Sequence, residues 1–213
     1  MMSSEETGRF VVIGGGGFVG SAVVAALTVL GREVVSLGRP TVDLLQPDAL
    51  AGHLKEGDRV VAVSAKAPCK TREMLLDNIR MANGMAAALE AAAPAHLTIV
   101  SSDAVYADQD CALTEQSWRQ PADFHGIMHM AREQILTSAV GANRCLILRP
   151  SLLYGARDPH NGYGPNRFRR LALSGEPIRL FGAGEETRDH VLIDDAATVI
   201  ARGAMQGLTG ALN

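Results

Sequence analysis

Aromatic side chains are scarce in this chain of 213 residues, at 4% of a sequence that is 47% hydrophobic. A core of the size that this length allows must be built from Val, Leu, Ile and Ala, which suits parallel strands covered by helices on both faces. Charge is nearly balanced, because 20 Lys and Arg face 23 Asp and Glu, and no dense basic run occurs. This balance gives no general attraction to nucleic acid or to an anionic membrane, so neither is predicted as a partner.

Cysteine is rare as well. The three residues are widely spaced and form no C-x-x-C pair: Cys69, Cys111 and Cys145. This pattern predicts reduced thiols and argues against a zinc site. The N-terminal stretch MMSSEETG is polar and acidic, and it does not resemble a signal peptide. We therefore expect a cytoplasmic protein.

Glycine, in contrast, is concentrated in the segment VVIGGGGFVGS at residues 11–21, where Gly14, Gly17 and Gly20 have the spacing G-x-x-G-x-x-G. At a junction from strand to helix, Gly14 permits a tight turn, Gly17 lets the backbone approach a pyrophosphate, and Gly20 allows close packing of helix on strand. The pyrophosphate then lies at the positive end of the helix that begins near Phe18. The alternative is a flexible turn, but the position between strand and helix favours a dinucleotide site.

Five short apolar runs alternate with segments of helical pattern. The predicted strands cover residues 9–13, 33–37, 59–64, 96–101 and 144–148, and the predicted helices cover 19–30, 46–54, 72–93 and 125–140. This alternation predicts an α/β fold with a Rossmann-type doubly wound parallel sheet and right-handed crossovers.

The composition changes after Pro150, where glycines and prolines cluster in one loop before a short basic helix predicted over residues 166–173. Ligands of open α/β sheets bind beyond the carboxyl ends of the strands, so this loop is well placed to cover a substrate. We predict a dinucleotide-binding domain over residues 1–150 and a small substrate-binding lobe over residues 151–213.

Six segments in order extend over nearly the whole chain: VVIGGGGFVGS at 11–21, Val42-Asp43-Leu44, DRVVAVSA at 58–65, IVSSDAVYAD at 99–108, LRPSLLYG at 148–155 and RDHVLIDDAA at 188–197. Together they resemble the extended short-chain dehydrogenase/reductase family, the NAD-dependent epimerase/dehydratase group that acts largely on nucleotide sugars. The resemblance implies an NAD(P)-binding oxidoreductase. Its reaction would be hydride transfer on a nucleotide sugar or a related hydroxyl or ketone compound, as in epimerisation or keto reduction.

The resemblance also implies which residues contact the cofactor. Phe18 and Val19 join the three glycines around the pyrophosphate, and Asp43 and Leu44 match the pair that flanks the adenine. Where NAD-preferring relatives carry an acid after the second strand, this chain has Arg39 nearby, which favours the 2′-phosphate of NADP. The alternative is that Arg39 is a solvated turn residue, so the cofactor is predicted as NAD(P) with a preference for NADP.

Ser102 matches the catalytic Ser or Thr of the family, which hydrogen-bonds the reacting sugar hydroxyl. Asp103 follows it, but Ala104 stands where dehydratases of the family carry a Glu. The resemblance therefore disfavours dehydration. Asp103 has two interpretations: a residue that contacts the substrate, or an ordinary loop residue that caps its own backbone.

The chain departs from the family at its Tyr-x-x-x-Lys motif, where His125 and His129 take the two positions. No tyrosine occurs between Tyr106 and Tyr154, and no lysine follows Lys70, so no shift of register restores the motif. A phenol with a pKa of about 10 needs a lysine and the nicotinamide charge to become acidic, whereas an imidazole at about 6.5 does not. The paired replacement is therefore chemically coherent.

Three hypotheses remain open for this histidine pair. In the first, His125 is the acid/base of a redox enzyme or epimerase, Ser102 orients the hydroxyl, and His129 takes over the hydrogen bond to the nicotinamide ribose. In the second, the protein binds the cofactor without turnover, as a sensor or scaffold. In the third, the two histidines bind a metal, but no third ligand has an obvious spacing, so no metal is predicted.

The resemblance identifies two residues at the substrate end. Arg188 matches the arginine that contacts the diphosphate of a nucleotide sugar, and Asn166 resembles an asparagine near the nucleotide phosphates. The chain ends at Asn213, where relatives enter another strand, so we expect a substrate lobe that is either naturally short or truncated. Apolar surface left exposed in this way would suit a second copy of the chain, and a homodimer is a further expectation.

Overall fold

The computed structural model describes residues 8–109, 111–159, 164–180, 182–185 and 187–213. Eight strands are present in these ranges: β1 (Phe10–Ile13), β2 (Val34–Leu37), β3 (Arg59–Ala62), β4 (His96–Val100), β5 (Cys145–Leu148), β6 (Leu152–Tyr154), β7 (His190–Leu192) and β8 (Gly210–Leu212). The same ranges contain five α-helices: α1 (Phe18–Val29), α2 (Arg72–Ala92), α3 (Phe124–Val140), α4 (Pro165–Ser174) and α5 (Ile193–Gln206).

Six strands form one sheet in the order β2-β1-β3-β4-β5-β8, and every neighbouring pair is parallel. The chain leaves β1 on one side for β2 and then returns past β1 to β3, so the strand order reverses between β1 and β3. Ligands of such folds bind in the crevice beyond the carboxyl ends of the strands at this reversal. The predicted Rossmann-type doubly wound sheet is confirmed.

Both faces of the sheet are covered, which explains why its strands are continuous apolar runs. Val11 and Ile13 of β1 belong to one core, which α2 and α3 cover. Phe10 and Val12 belong to the other core, which α1 and α5 cover. Side chains alternate between the two faces of a strand, so each short strand contributes to both cores.

Side-chain caps determine where the two helices over the first core begin. The Thr71 hydroxyl accepts a hydrogen bond from Met74 N at 3.2 Å at the start of α2. At the start of α3, Asp123 Oδ1 accepts one from Gly126 N at 2.9 Å. Each cap satisfies a backbone donor that has no partner within the helix. The cap at Asp123 places His125 in the first turn of α3.

The predicted helix over residues 46–54 is wrong, because this segment is a series of turns. Asp48 and Gly52 have φ angles of 54° and 74°, which no α-helix accommodates. Pro47 and these two left-handed residues interrupt the pattern that the apolar residues suggest. Leu50 and Leu54 are nevertheless buried in the first core, so the periodicity indicated burial correctly and conformation incorrectly.

The chain after residue 150 contributes to the main sheet as well as to the smaller one. Strand β8 pairs with β5 and was absent from the five predicted strands, and α5 packs over the second core. Strands β6 and β7 form a separate parallel pair. The division into domains at residue 150 stays a prediction. Within the described ranges, no helix has both the length and the apolar character needed to cross a membrane.

Candidate active site

The glycine loop joins β1 to α1 at the reversal of strand order. Gly14 has a φ of 95°, and a Cβ there would lie 2.6 Å from Ser64 Oγ and 2.7 Å from Ser64 N, just beyond β3. A Cβ at Gly20 would overlap the Gly14 carbonyl oxygen and lie 2.8 Å from Gly15 Cα. Only glycine fits at both positions. Together they let α1 approach the carboxyl ends of β1 and β3.

The N-terminus of α1 is open. Gly17 is the residue that precedes the helix, no side chain caps it, and the first turn contains no acidic residue. Within 4 Å, a Cβ at Gly17 would meet only the Gly14 carbonyl oxygen, at 3.4 Å. The first N–H groups of a helix lack partners within it, and the helix dipole favours negative charge there. Phe18 lines a pocket of about 330 Å³ between the starts of α1 and α5, while Val19 packs on the second core.

The residues after β2 form a rim beside this loop. A Cβ at Gly38 would lie 3.8 Å from Gly16 N, and Arg39 follows. Arg39 is exposed, and its guanidinium makes no hydrogen bond or ion pair with the residues that the structure describes. Asp43 Oδ1 accepts a hydrogen bond from the backbone N–H of residue 45 at 3.1 Å, and Leu44 packs partly against the first core.

A short 3-10 turn over Asp103–Val105 follows β4 and holds the predicted catalytic serine. The hydroxyl of Ser102 donates to Asp103 Oδ1 at 3.0 Å and accepts from Ala104 N at 3.2 Å. Burial raises the pKa of Asp103. The hydrogen bonds from Ser102 and Ala104 oppose that rise, as do the charges of His125 and Arg188. Asp103 therefore takes part in a local turn and also interacts electrostatically with two other predicted site residues.

The two histidines are in contact in α3. Nδ1 of His125 accepts a hydrogen bond from Cys69 N at 3.4 Å. The ring of His129 meets that of His125 edge-on, with centroids 4.7 Å apart and planes at 85°. Burial holds the pKa of His129 well below its usual range, and the charges of Arg132 and His125 lower it further. His129 is thus neutral near pH 7 and does not replace the positive charge of a lysine.

Arg132 is a component of this site that the sequence analysis missed. It is completely buried, and its Nη1 donates to the Val100 carbonyl oxygen at 3.2 Å and to His129 Nδ1 at 3.4 Å. Burial lowers its pKa to about 10, which keeps the guanidinium charged at neutral pH. The sequence signal that could have identified Arg132 was its spacing from the two histidines, because residues 125, 129 and 132 lie on one face of a helix.

Asn78 in α2 was also missed. Its side-chain oxygen accepts from Lys66 N at 2.8 Å, and its Nδ2 donates to the carbonyl oxygens of Lys66 at 3.1 Å and Met74 at 2.9 Å. The side chain is almost fully buried. It therefore fixes the loop after β3, which carries Cys69 to its contact with His125. No local pattern in the sequence indicates this contact, which joins residues 12 positions apart.

A buried ionic cluster lies beneath the site. Glu133 accepts from Arg149 Nε at 2.9 Å and Nη2 at 2.8 Å, and from the Ser101 hydroxyl at 2.6 Å. The hydrogen bonds to Glu133 raise the pKa of Arg149, whose Nη1 donates to the Tyr106 hydroxyl at 2.7 Å. This cluster ties α3 to the ends of β4 and β5. It thereby fixes the helix that carries the histidines relative to Ser102.

The two predicted substrate residues differ in their surroundings. Arg188 is exposed and close enough to Asp103 for their charges to interact. Asn166, in the first turn of α4, donates from Nδ2 to Asp158 Oδ2 at 2.9 Å. Ser102, Asp103, His125 and Arg188 are thus linked by contact or charge, whereas the polar contact seen for Asn166 is local. In the described part of the chain, no three His, Cys, Asp or Glu residues are grouped to hold a metal ion.

Comparison with known proteins agrees with this geometry. Residues 10–210 match the NAD dependent epimerase/dehydratase family. The chain belongs to that family. The match extends from β1 to the first residue of β8, so it includes the glycine loop, the serine turn and both histidines.

Solved structures with the same fold come from chains that are longer than this one. UDP-N-acetylglucosamine 4-epimerase from Bacillus cereus superposes with a TM-score of 0.80 at 22% identity, over 97% of this chain and 75% of that one. The corresponding epimerase from Methanobrevibacter ruminantium M1, in complex with UDP-N-acetylmuramic acid, gives 0.80 at 21% identity, over 98% and 76%. MoeE5 in complex with UDP-glucose and NAD gives 0.79 at 23%, over 96% and 74%. At these identities the likeness establishes the fold.

Proposed function

We propose that this protein is an NAD(P)-dependent oxidoreductase that moves a hydride between the nicotinamide ring and a carbon of a nucleotide sugar or a related hydroxyl or ketone compound. The observation that carries the proposal is the placement of three features at the same edge of one parallel sheet: the open N-terminus of α1 after β1, the Cys69 contact to His125 after β3, and Ser102 after β4. The UDP-sugar ligands of two structures with this fold support the substrate class.

The residues of the glycine loop fit a dinucleotide. Glycines at positions 14 and 20 remove the side chains that would block the turn, and the uncapped end of α1 suits the pyrophosphate. In this proposal the N–H groups of Phe18 and Val19 bind the pyrophosphate, and Asp43 and Leu44 flank the adenine. The nicotinamide, when bound, supplies the hydride acceptor or donor.

We infer a preference for NADP from Arg39. Arg39 follows Gly38, which lies beside the glycine loop, and its exposed guanidinium has no partner among the described residues, so it is available to a 2′-phosphate. An arginine can grip a phosphate with two parallel hydrogen bonds. Arg39→Ala should therefore weaken NADPH binding much more than NADH binding. Equal losses for the two cofactors would contradict the preference.

Ser102 and His125 are the proposed contacts to the reacting oxygen. The serine hydroxyl is held at the end of β4 by the N–H of Ala104, and it can exchange its bond to Asp103 for one to the substrate. His125 is partly exposed in the first turn of α3. Hydride transfer changes the charge on the substrate oxygen, so donors already in place lower the barrier. Arg188 is the proposed contact to the diphosphate, with Asn166 and Asp103 as further substrate contacts.

The remaining sequence predictions concern context. The homodimer, the cytoplasmic location and the separate substrate lobe stay predictions. The resemblance to the family implies a dimer face on α3 with Ile127, Met128 and Met130; Ile127 is 37% exposed, but Met128 is completely buried in the core and is not available to it. The apolar stripe of this helix therefore divides between core and surface.

Turnover tests the proposal. Purified protein is incubated with NADPH or NADH deuterated at C4 and a panel of UDP-4-keto sugars, and the product is analysed for deuterium at the former carbonyl carbon. Transfer of deuterium, lost in His125→Ala and retained in His53→Ala, would support the proposal. Cofactor binding without transfer across the panel would favour the non-catalytic cofactor-binding alternative.

A further inference from the structure

His125, His129 and Arg132 form a ladder on one face of α3. The two rings are in edge-on contact, and the guanidinium of Arg132 spans from His129 Nδ1 to the carbonyl oxygen of Val100 at the end of β4. The distances from Nη1 are 3.4 Å to the imidazole nitrogen and 3.2 Å to the carbonyl oxygen. This arrangement joins the histidine pair to the strand end that carries Ser102.

The direction of these hydrogen bonds fixes the tautomers. A guanidinium has only N–H donors, so Nδ1 of His129 must accept, and the hydrogen of the neutral ring is on Nε2. The backbone N–H of Cys69 imposes the same choice on His125, because its Nδ1 is the acceptor. When neutral, each imidazole therefore carries its hydrogen on Nε2.

Burial of Arg132 lowers the stability of the fold. Its side chain is completely buried, and it forms no ion pair with the described residues. Two of its nitrogens, Nε and Nη2, have no hydrogen-bond partner there. The neighbouring Glu133 is engaged by Arg149 and Ser101. A buried charge left without a matched partner destabilises a fold, so stability does not explain this residue.

We infer that Arg132 is a positioning residue that holds His129, in edge-on contact with His125, as a neutral imidazole whose Nε2–H is a hydrogen-bond donor of the site. The inference rests on the proposed function only in assigning ligand oxygens as the acceptors. Other groups near the pair are Asp103, whose charge interacts with those of His125 and Arg188, and the backbone N–H of Cys69. The charges of Arg132 and His125 both oppose a proton on His129.

Nitrogen NMR of the ligand-free protein tests the inference without activity. Long-range ¹H–¹⁵N spectra distinguish the two neutral tautomers and the charged ring, and His125→Asn and His129→Asn assign the signals. We expect wild-type His129 to stay neutral, with hydrogen on Nε2, at pH values below the ordinary imidazole pKa of about 6.5. In Arg132→Met its pKa should rise, because a positive charge that lowers it is removed, although burial still holds it below the ordinary value. Arg132→Lys, which keeps a buried donor and charge, should preserve the neutral ring.

Stability gives the second measurement. Arg132→Met should leave Tm unchanged or raise it, whereas a merely structural arginine would lower Tm when replaced. Arg144→Met removes another arginine that bonds backbone carbonyl oxygens, at Pro94 and Val140, and should leave the His129 spectrum unchanged. The inference is overturned if wild-type His129 titrates near pH 6.5, if Arg132→Met leaves its titration unaltered, or if that variant does not fold. Failure to bind NADPH or NADH, with these spectra as expected, would contradict the proposed function and not the positioning role.

Discussion

Substitution by alanine should lower stability at Gly20 and weaken cofactor binding at Gly17. A Cβ at Gly20 would overlap the Gly14 carbonyl oxygen and lie 2.7 Å from its carbon and 2.8 Å from Gly15 Cα, and none of these backbone atoms can rotate away. Overpacking of this kind costs roughly 1–3 kcal/mol. In a protein of this length, Gly20→Ala should therefore lower Tm by about 2–12 °C.

Gly17 has open space instead. Its φ of −79° suits alanine, and the nearest atom to a Cβ would be the Gly14 carbonyl oxygen at 3.4 Å. Gly17→Ala should change the free energy of unfolding by less than about 0.5 kcal/mol. The methyl group would nevertheless occupy the approach of the pyrophosphate to the backbone. We expect at least about tenfold weaker cofactor binding, equivalent to about 1.4 kcal/mol.

Thermal unfolding and calorimetric titration with NADPH, made on the same samples, separate the two effects. Gly16→Ala is the matched control for stability, since its Cβ would have no neighbour within 4 Å, and it should keep the wild-type Tm. Equal losses of Tm in all three variants would refute the packing argument. Unchanged NADPH affinity in Gly17→Ala would refute the assignment of the pyrophosphate to this loop.

Three further predictions concern stability. Glu133→Gln leaves Arg149 buried without its counter-charge and should cost about 3–5 kcal/mol in urea unfolding; a loss below about 1 kcal/mol would contradict this. Asn78→Ala removes three hydrogen bonds to backbone and should cost about 1–3 kcal/mol, so unchanged stability would show that the loop after β3 holds without it. Burial lowers the pKa of His96, although its bond to Leu208 opposes the shift. The unfolded chain then takes up a proton below about pH 6.5 that the folded protein rejects, so stability should fall with pH below that value. In His96→Asn the fall between pH 7.5 and pH 5.5 should be smaller, and an identical fall would assign it to other groups.

The parts of the fold that the sequence predicts are those with strong local signals. The glycine loop and the apolar strand that precedes it are contiguous, and their conformations follow from steric rules that apply to any chain. The segment 46–54 was misassigned because apolar spacing reports burial, whereas the left-handed backbone at Asp48 depends on surrounding packing. Strand β8 was absent from the strands predicted from apolar runs because three residues are too short for a periodic pattern, and only the resemblance to the family indicated a strand there.

Individual residues of the site could be predicted from the sequence, but the contacts between them could not. His125 and Ser102 were identified because they occupy motif positions. Those positions do not indicate that the backbone N–H of Cys69, from a distant part of the sequence, bonds the ring of His125. Arg132 reads as a surface charge on an amphipathic helix, and only the packing of α3 on β4 makes it a buried neighbour of His129. The neutral state of His129 follows from that burial and could not be derived from the residue type.

The central claim of this account is that the chain binds the cofactor, because the roles proposed for the glycine loop and for the histidine pair both require it. Calorimetric titration of the purified full chain with NADPH and with NADH measures it directly. The account predicts saturable binding of one dinucleotide per chain, tighter for NADPH and weakened by Gly17→Ala without loss of folding. No saturable binding of either dinucleotide to the folded protein would contradict it.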